Sequence, residues 1–298
     1  MRSSLITKDA YAVDNDLKEA IRLKAKVNKV IAKLKKEGKI DSYVQDAYAL
    51  HLRVLLNKGL LYEEILFILT ALVVTCFLVA CSGSQGVSPK TIKEKKKIVV
   101  ATESEFAPFE FKSLVNGKDT LVGADIELAK AIGEKLGVKV EFSVMSFDNV
   151  LANVQSGKAD IAIAGISVTD ERKKVYDFSD SYYTSENVVI VKKDKVNDYT
   201  STDSLAKQTV GTQKGSVQET VAKKQIPKAS VVSLASNGEM INELKSGQLQ
   251  AVVLEKAIAE GYIAQNDDLT LANFNLKSDG TDAYAVATRK GSDDLLKE

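Results

Sequence analysis

From Lys97 onward, short apolar segments alternate with longer segments in which apolar residues recur every three or four positions. The β-branched run Lys97–Ala101 is typical of a strand. Asp125–Leu136 has its apolar residues at helical spacing and is followed by a glycine, as helices often are. Val138–Val144 alternates as a strand, and Ile161–Ala164 is apolar on both faces, as buried parallel strands are. This alternation of strands and helices predicts an α/β fold.

A second set of the same pattern follows in the later half of the chain. Val154–Ala162 and Leu244–Val252 each read as a helix, a Ser-Gly stop and a strand. Helix, glycine and strand in this order are common in general, but two separate sets favour two lobes. We therefore expect residues 97–187 and 279–298 to form lobe 1 and residues 188–278 to form lobe 2. Two crossover strands, near Tyr183–Asn187 and Ser278–Ala283, would join them.

An apolar run of about 16 residues, Ile65–Ala80, lies well inside the chain. It is shorter than the ~20 residues that a membrane-spanning helix needs, and its length suits the core of a signal peptide. Leu78–Cys81 resembles the lipobox of bacterial lipoproteins, in which the cysteine is acylated and becomes the mature N-terminus. This predicts a signal peptide over 58–81, lipidation of Cys81 and a tether over 82–96. A buried core helix that happens to end in a cysteine is the alternative, and the signal is unusual because it begins after residue 60.

The segment before this run repeats the end of the chain. Asp9–Val13 recurs as Asp282–Val286, and Leu17–Glu19 recurs as Leu296–Glu298. Beyond the repeat, Val27 to Leu34 has the spacing of a helix that ends at Gly38, and a second short helix is expected from there to residue 50. We interpret residues 1–57 as a displaced copy of the C-terminal segment, left by recombination between tandem copies of the gene.

Composition removes several kinds of function. The formal net charge is +1, so no long-range field favours nucleic acid. The only histidine is His51 and the only cysteines are Cys76 and Cys81, all ahead of the predicted globular part. A Ser-His-Asp triad, a Cys-His pair or a zinc site would need side chains that this part lacks. We expect no metal, no cofactor and no catalytic residue, although carboxylate chemistry remains open.

Ligands in open α/β sheets bind outside the carboxyl ends of the strands, so the residues that follow each strand are the candidates. These segments are Thr102–Phe111, Gly165–Arg172, Thr212–Gln218 and Leu254–Lys256. In Ala101–Phe111, Ala164–Arg172 and Tyr176–Ser179 the chain resembles the extracytoplasmic polar amino-acid-binding lipoproteins of bacterial ABC importers. The resemblance covers Ile98–Glu298. It implies a periplasmic-binding-protein-like fold, a clamp of two lobes that closes on an amino acid outside the membrane.

The resemblance also implies how the backbone of an amino acid would be held. Arg172 would bind the α-carboxylate, because a guanidinium forms two parallel hydrogen bonds with it. Gly165, Ser167 and Glu255 would accept from the α-ammonium, although most relatives have aspartate at the last position. Taken alone, Arg172 next to Asp170 and Glu171 is more often a surface ion pair, and Glu255 more often begins a helix.

The remaining candidates concern the carboxylate and the ligand side chain. Gly215 and Ser216 precede a predicted helix, whose N-terminal amides favour an anion, although a Gly-Ser pair is more often a simple cap. Phe106 and Phe147 match the aromatic residues that sandwich the ligand side chain, and either could instead belong to the core. Glu103 matches an acidic position that recognises the distal group of the ligand side chain. The ligand could be arginine, lysine, histidine or glutamine. The basic amino acids are favoured, and among them arginine.

These observations predict a monomeric solute-binding protein that delivers an amino acid to an ABC permease and is anchored by lipid on Cys81. A dehydratase on the same fold, using Glu103 or Glu255 as acid or base, is one alternative. The other alternative is a non-functional product of recombination. Cleavage at Cys81 would discard the displaced helix and leave an apolar surface of lobe 1 uncovered.

Overall fold

The computed structural model describes residues 33–40, 42, 86–277, 280 and 283–296. Within these residues, strands and helices alternate, and two separate five-stranded sheets form the centres of two lobes. The α/β class and the two-lobed architecture predicted from the sequence are confirmed.

The elements are numbered along the described part of the chain. They are α1 (Pro89–Lys95), β1 (Lys97–Thr102), β2 (Glu105–Phe106), β3 (Glu110–Val115), β4 (Lys118–Val122), α2 (Ala124–Leu136), β5 (Lys139–Val144), α3 (Phe147–Gln155), β6 (Ile161–Ala162), α4 (Asp170–Lys173), β7 (Tyr176–Phe178), β8 (Tyr183–Thr184), β9 (Asn187–Lys192), β10 (Thr209–Gln213), α5 (Val217–Gln225), β11 (Ser230–Leu234), α6 (Asn237–Ser246), β12 (Ala251–Glu255), α7 (Lys256–Ile263), β13 (Leu269–Leu271), β14 (Ala283–Tyr284), β15 (Ala287–Arg289) and α8 (Asp293–Leu296).

The lobe 1 sheet has the strand order β5-β1-β6-β15-β7. Strand β1 is parallel to both β5 and β6, whereas β15 is antiparallel to β6 and β7. Because β15 comes from the C-terminal part of the chain, lobe 1 is assembled from two distant stretches of sequence. Because β1 and β6 are parallel neighbours, their carboxyl ends meet at one edge of this sheet.

The lobe 2 sheet has the order β11-β10-β12-β9-β13. Strands β11, β10 and β12 are parallel, and β9 and β13 complete the sheet in antiparallel pairing. All five residues of β12 are buried, which is the pattern of a strand covered on both faces. Helices α5, α6 and α7 pack against this sheet.

The chain passes between the lobes twice. Strand β8 lies on the first passage and β14 on the second, and the two pair in antiparallel fashion, with Ala283 opposite Thr184 and Tyr284 opposite Tyr183. Of the second predicted crossover, Ser278–Ala283, the structure describes only Gly280 and Ala283. A separate three-stranded sheet of β2, β3 and β4 lies at the start of lobe 1 and was not expected from the sequence.

The predicted tether differs from what the structure shows. Residues 82–96 were assigned to a flexible link, yet Pro89–Lys95 forms α1, and Ile92 is completely buried. Ser88 caps this helix by accepting a hydrogen bond from the Thr91 amide at 3.2 Å. The apolar side chain at Ile92 explains the order, because its burial in the lobe 1 core fixes the helix against the sheet.

Several sequence-based expectations concern residues outside the described part of the chain. These are the repeats in residues 9–19, the helical spacing from Val27 to Ile31, the apolar run Ile65–Ala80 and the proposed lipidation site Cys81. Among the residues that are described, no helix has both the length and the apolar character needed to cross a membrane.

Candidate functional site

The site lies where the carboxyl ends of strands from both lobes face one another. The loops after β1 and β6 belong to lobe 1, and the residues that end β10 and β12 belong to lobe 2. Several contacts cross the gap, among them the hydrogen bond that Arg172 Nη2 donates to Gly215 O at 3.1 Å and the ion pair of Lys214 Nζ with Asp148 Oδ2 at 2.9 Å. The lobes are therefore closed on each other in this structure.

Arg172 lies on the short helix α4, whose start is fixed by Thr169. The threonine hydroxyl accepts a hydrogen bond from the Arg172 amide at 3.0 Å. The guanidinium turns into the cleft, where Nη1 donates to Ser167 O at 2.8 Å. Burial lowers the pKa of Arg172 to about 10, so the side chain stays charged at neutral pH. The neighbouring Asp170 pairs instead with Lys173 at 3.4 Å, so Arg172 does not form the surface ion pair considered above.

Glu255 is the last residue of β12 and stands at the start of α7. It is buried, and its side chain makes no capping hydrogen bond to the helix, so its carboxylate has another role. Burial raises its pKa to about 7, while Gln218, Tyr284 and the positive charge of Arg172 act in the opposite direction. A buried carboxylate with such a pKa is well placed to gain from a cation brought into the cleft.

Gly165 and Ser167 lie in the loop after β6. Gly165 has φ +54°, and a Cβ added to it would stand 2.6 Å from Cε1 of Phe106. Only glycine fits there, because both the backbone conformation and the aromatic ring exclude a side chain. The backbone of Ser167 bridges to Tyr284 on the second crossover, which ties this loop to the connection between the lobes.

A buried carboxyl group, Asp125, holds this loop in place, and a second buried carboxyl group, Glu110, lies beside it. Asp125 Oδ2 accepts hydrogen bonds from the Gly165 amide at 2.9 Å and the Tyr182 hydroxyl at 2.8 Å. Burial raises the pKa of Asp125 to about 6, and burial together with the Asp125 charge raises that of Glu110 well above its ordinary value. The Gly165 amide is thus held by a buried carboxylate, and the neighbouring Glu110 takes up a proton more readily than an exposed glutamate does.

Glu103 follows β1 and reaches lobe 2. Its two carboxylate oxygens accept from Gln213 Nε2 at 3.3 and 3.0 Å, and both residues are buried. Burial raises the pKa of Glu103 to about 8, against the effect of the Gln213 hydrogen bond, and the charges of Glu105 and Glu255 add to the rise. A buried acid without a cationic partner keeps its proton, and a bound cation would favour its ionised form.

The two predicted aromatic residues are both buried on the lobe 1 side. Phe147 begins α3, and the Arg172 guanidinium carbon lies 5.9 Å from the centre of its ring. Phe106 lies against Gly165, and its ring centre is 5.9 Å from that of Phe109 and 6.4 Å from that of Tyr284. Each ring thus lies against another predicted binding residue and also belongs to the core. A place in the core and a place beside the ligand are therefore compatible for both rings.

The Gly215-Ser216 turn precedes α5, as predicted, but its polar groups are partly engaged. The Ser216 hydroxyl donates to Gln213 O at 2.7 Å, and the Ser216 amide donates to the same carbonyl at 3.2 Å. Gly215 has φ +78°, and an added Cβ would lie 3.2 Å from Asp148 Cα. The helix amides that can face an anion are therefore those of the first turn of α5, beginning at Val217.

The structure brings the nine predicted residues to the two facing edges of the cleft. Glu103, Phe106, Phe147, Gly165, Ser167 and Arg172 lie on lobe 1, and Gly215, Ser216 and Glu255 lie on lobe 2. Sequence reasoning missed Gln213, although it lies inside a segment chosen for inspection and ends its strand. It also missed Asp125, which lies in the first turn of α2 and is buried. Within the described ranges, no group of three or more potential ligating side chains could hold a metal ion.

Comparison with known proteins identifies a matching family and several similar proteins. Residues 98–298 match the family model of bacterial extracellular solute-binding proteins, family 3. The arginine-binding extracellular protein ArtP of Bacillus subtilis is 35% identical over 233 residues, covering 76% of this chain and 87% of ArtP. A probable histidine-binding protein of Neisseria gonorrhoeae is 30% identical over 241 residues, covering 78% of this chain and 86% of its own. The crystal structure of the amino acid ABC transporter substrate-binding protein AbpA from Streptococcus pneumoniae, bound to L-arginine, has 53% identity and a TM-score of 0.68, covering 70% of this chain and 87% of AbpA.

Proposed function

This chain belongs to the bacterial extracellular solute-binding proteins, family 3, and from that premise we propose that its cleft captures a basic amino acid, with arginine favoured. As a member of this family it is an amino-acid-binding protein of an ABC transporter and not an enzyme, so the dehydratase alternative is set aside. The observation that carries the proposed ligand is the buried Glu103, held by Gln213 where the two lobes meet.

The groups common to all amino acids would bind at the Arg172 end of the cleft. The guanidinium would take the α-carboxylate, helped by amides in the first turn of α5. Glu255, the Gly165 carbonyl and the Ser167 hydroxyl would accept from the α-ammonium. Each charge-assisted hydrogen bond contributes on the order of 1.5–3 kcal/mol, and micromolar affinity corresponds to about 8 kcal/mol, so a few such bonds are enough.

The tip of the ligand would select among amino acids. An arginine guanidinium presents several N–H donors in one plane, and the paired oxygens of Glu103 match that geometry. Phe106 and Phe147 would contact the aliphatic stem and the planar end. Glutamine offers fewer donors and no charge, so it leaves the buried carboxyl without a cation. The arginine-bound AbpA and the arginine-binding ArtP support this choice among relatives.

Calorimetry on the full chain with arginine, lysine, histidine and glutamine tests the proposed ligand. We expect arginine to bind most tightly, and Glu103→Gln to weaken arginine by about 100-fold or more while changing glutamine far less, since a charged pair is lost only for arginine. The matched control is Glu141→Gln, an exposed glutamate on β5 that pairs with Lys97 away from the cleft. Tighter binding of glutamine than of arginine to the unmodified chain would contradict the proposal.

We also propose that the exported protein is monomeric and anchored through a lipid on Cys81, so that it presents the closed clamp to the permease. The Leu78–Cys81 motif supports this, because a thiol after small residues at the end of an apolar run suits acylation. Labelling cells with a radioactive fatty acid tests it. Cys81→Ser should abolish the label, whereas the matched control Cys76→Ser should keep it; label retained in Cys81→Ser would refute the anchor.

A further inference from the structure

The segment made of residues 33–40 and 42, which we call the N-terminal segment, lies on the main body although it precedes the predicted signal. Leu34 and Ile40 are each only 7% exposed and belong to the same buried apolar cluster as Ile92, Ile98 and Leu295. Lysines 33, 35 and 36 of the segment are exposed. An amphipathic segment with its apolar side chains buried in a distant part of the fold is a packed element of that fold.

The internal structure of the segment suits this packing. The chain is helical from Lys33, forms a turn at Gly38, which has φ +62°, and is helical again from Lys39. A left-handed glycine ends one helical turn and redirects the chain. An ion pair of Lys39 with Glu37 at 2.8 Å spans the bend on its solvent side. This bend lies between Leu34 and Ile40, the two apolar residues that are buried.

A polar contact fixes where the segment lies. Lys35 Nζ donates to the backbone carbonyl of Ser181 at 2.8 Å. Ser181 comes shortly after β7, which is the edge strand of the lobe 1 sheet, and α8 at the C-terminal end also contacts β7. The N-terminal segment and the C-terminal helix α8 therefore approach the same edge of lobe 1.

The two ends of the main body are themselves adjacent. The Val87 amide donates to Ser292 Oγ at 2.7 Å, a contact between residues that are 205 positions apart. A segment on the N-terminal side of Val87 can thus lie beside the part of lobe 1 that contains Ser292. The sequence is consistent with this placement, because Leu17–Glu19 repeats Leu296–Glu298 and the segment follows that repeat.

From these contacts we propose that the N-terminal segment is a structural element of lobe 1 and packs its apolar side chains into the core of that lobe. The interaction surface is the edge of lobe 1 at β7, and its occupant is the N-terminal segment, residues 33–40 and 42 of the same chain. Cleavage at Cys81 would remove this occupant, so the docked segment belongs to the unprocessed chain. The proposal does not depend on which amino acid the cleft binds.

Thermal unfolding and hydrogen exchange of the full chain test the packing. Replacing Leu34 and Ile40 by aspartate should lower the melting temperature by at least about 5 °C, because two buried apolar side chains become charged. It should also speed amide exchange in peptides containing Ile92 and Ser181. The matched control is Lys36→Asp, an exposed position of the same segment. Equal melting temperatures and exchange for the double variant and the control would overturn the proposal.

A second experiment does not depend on the variant folding well. A protease site inserted after Lys58 of the unmodified chain allows the N-terminal part to be cut from the main body. The cut fragment should remain with the body in gel filtration, and in a chain that carries Leu34→Asp and Ile40→Asp it should separate. Separation of the unmodified fragment would overturn the proposal, whatever the result for ligand binding.

Discussion

At the scale of single residues, the backbone conformation of Gly165 and the position of the Phe106 ring in the cleft depend on each other. Its amide is held by Asp125, its φ is +54°, and the Phe106 ring covers the space where a side chain would be. A Cβ here must strain the backbone and displace the ring together. The position therefore constrains both the loop that would accept the ligand ammonium and the aromatic residue that would contact its side chain.

Gly165→Ala is expected to weaken arginine binding by about tenfold or more and to cost roughly 1–3 kcal/mol of stability. Calorimetry and denaturant unfolding of the same protein measure the two effects. The matched control is Gly137→Ala, which replaces a glycine with φ +70° at the end of α2 where nothing lies within 4 Å of an added Cβ. It should cost stability through strain alone and leave affinity unchanged. An unchanged affinity in Gly165→Ala would show that the loop does not shape the binding site.

Local patterns could be recognised from the sequence, whereas partners that meet only in the folded chain could not. Thr169 could be recognised as a cap three residues before Arg172, because capping is a short-range pattern. Gln213 and Glu103 are 110 positions apart, and nothing in either neighbourhood indicates that they meet. The buried Asp125 was missed for the same reason, since burial depends on β6 and Tyr182, which come much later in the chain.

At the scale of elements, β2 of lobe 1 and the start of α6 in lobe 2 form a contact outside the predicted binding residues. The Ser236 hydroxyl, which caps α6, donates to Glu105 Oε2 in a short hydrogen bond, and the Tyr262 hydroxyl donates to Glu105 O at 3.4 Å. Beside this contact is a cavity of about 200 Å³ between the lobes. Glu105 thus links a strand of one lobe to a helix terminus of the other, where a negative charge is favoured.

Glu105→Ala is expected to make the closed form less stable and so to raise the dissociation rate of the ligand several-fold, while each lobe keeps its own stability. Stopped-flow kinetics and thermal unfolding distinguish the two effects. Ser88→Ala, which removes the cap of α1 within lobe 1, is the matched control and should lower stability with no change in dissociation. If Glu105→Ala left the dissociation rate unaltered, this contact would not contribute to closure.

Elements with strong periodicity were predicted well, and short ones were not. The repeated order of helix, glycine and strand corresponds to α3 with β6 and to α6 with β12. Helix α1 was mistaken for part of a tether, although Ser88 followed by Pro89 is a recognisable helix start, because a single apolar residue gives no period. Strands β2 to β4 were missed because polar and apolar residues do not alternate regularly along them.

At the scale of the whole molecule, closing the lobes buries two carboxyl groups that need a cation. In the closed structure burial raises the pKa of Glu103 to about 8 and that of Glu255 to about 7, both from an ordinary value of 4.5. In an open clamp these groups would be closer to water and would have lower pKa values. The closed, empty form therefore binds protons more tightly than the open form, and rising pH between about 4.5 and 8 favours opening.

We expect a basic amino acid to reverse this preference, because its two positive charges would stabilise both carboxylates inside the closed cleft. Small-angle X-ray scattering of the ligand-free chain should give a smaller radius of gyration at pH 6 than at pH 9. With saturating arginine it should be equally small at both. In the double variant Glu103→Gln and Glu255→Gln, neither position can ionise, so the ligand-free dimensions should no longer depend on pH. The same pH dependence in that variant would place the titrating groups elsewhere, and closure would then have to be explained without the two buried acids.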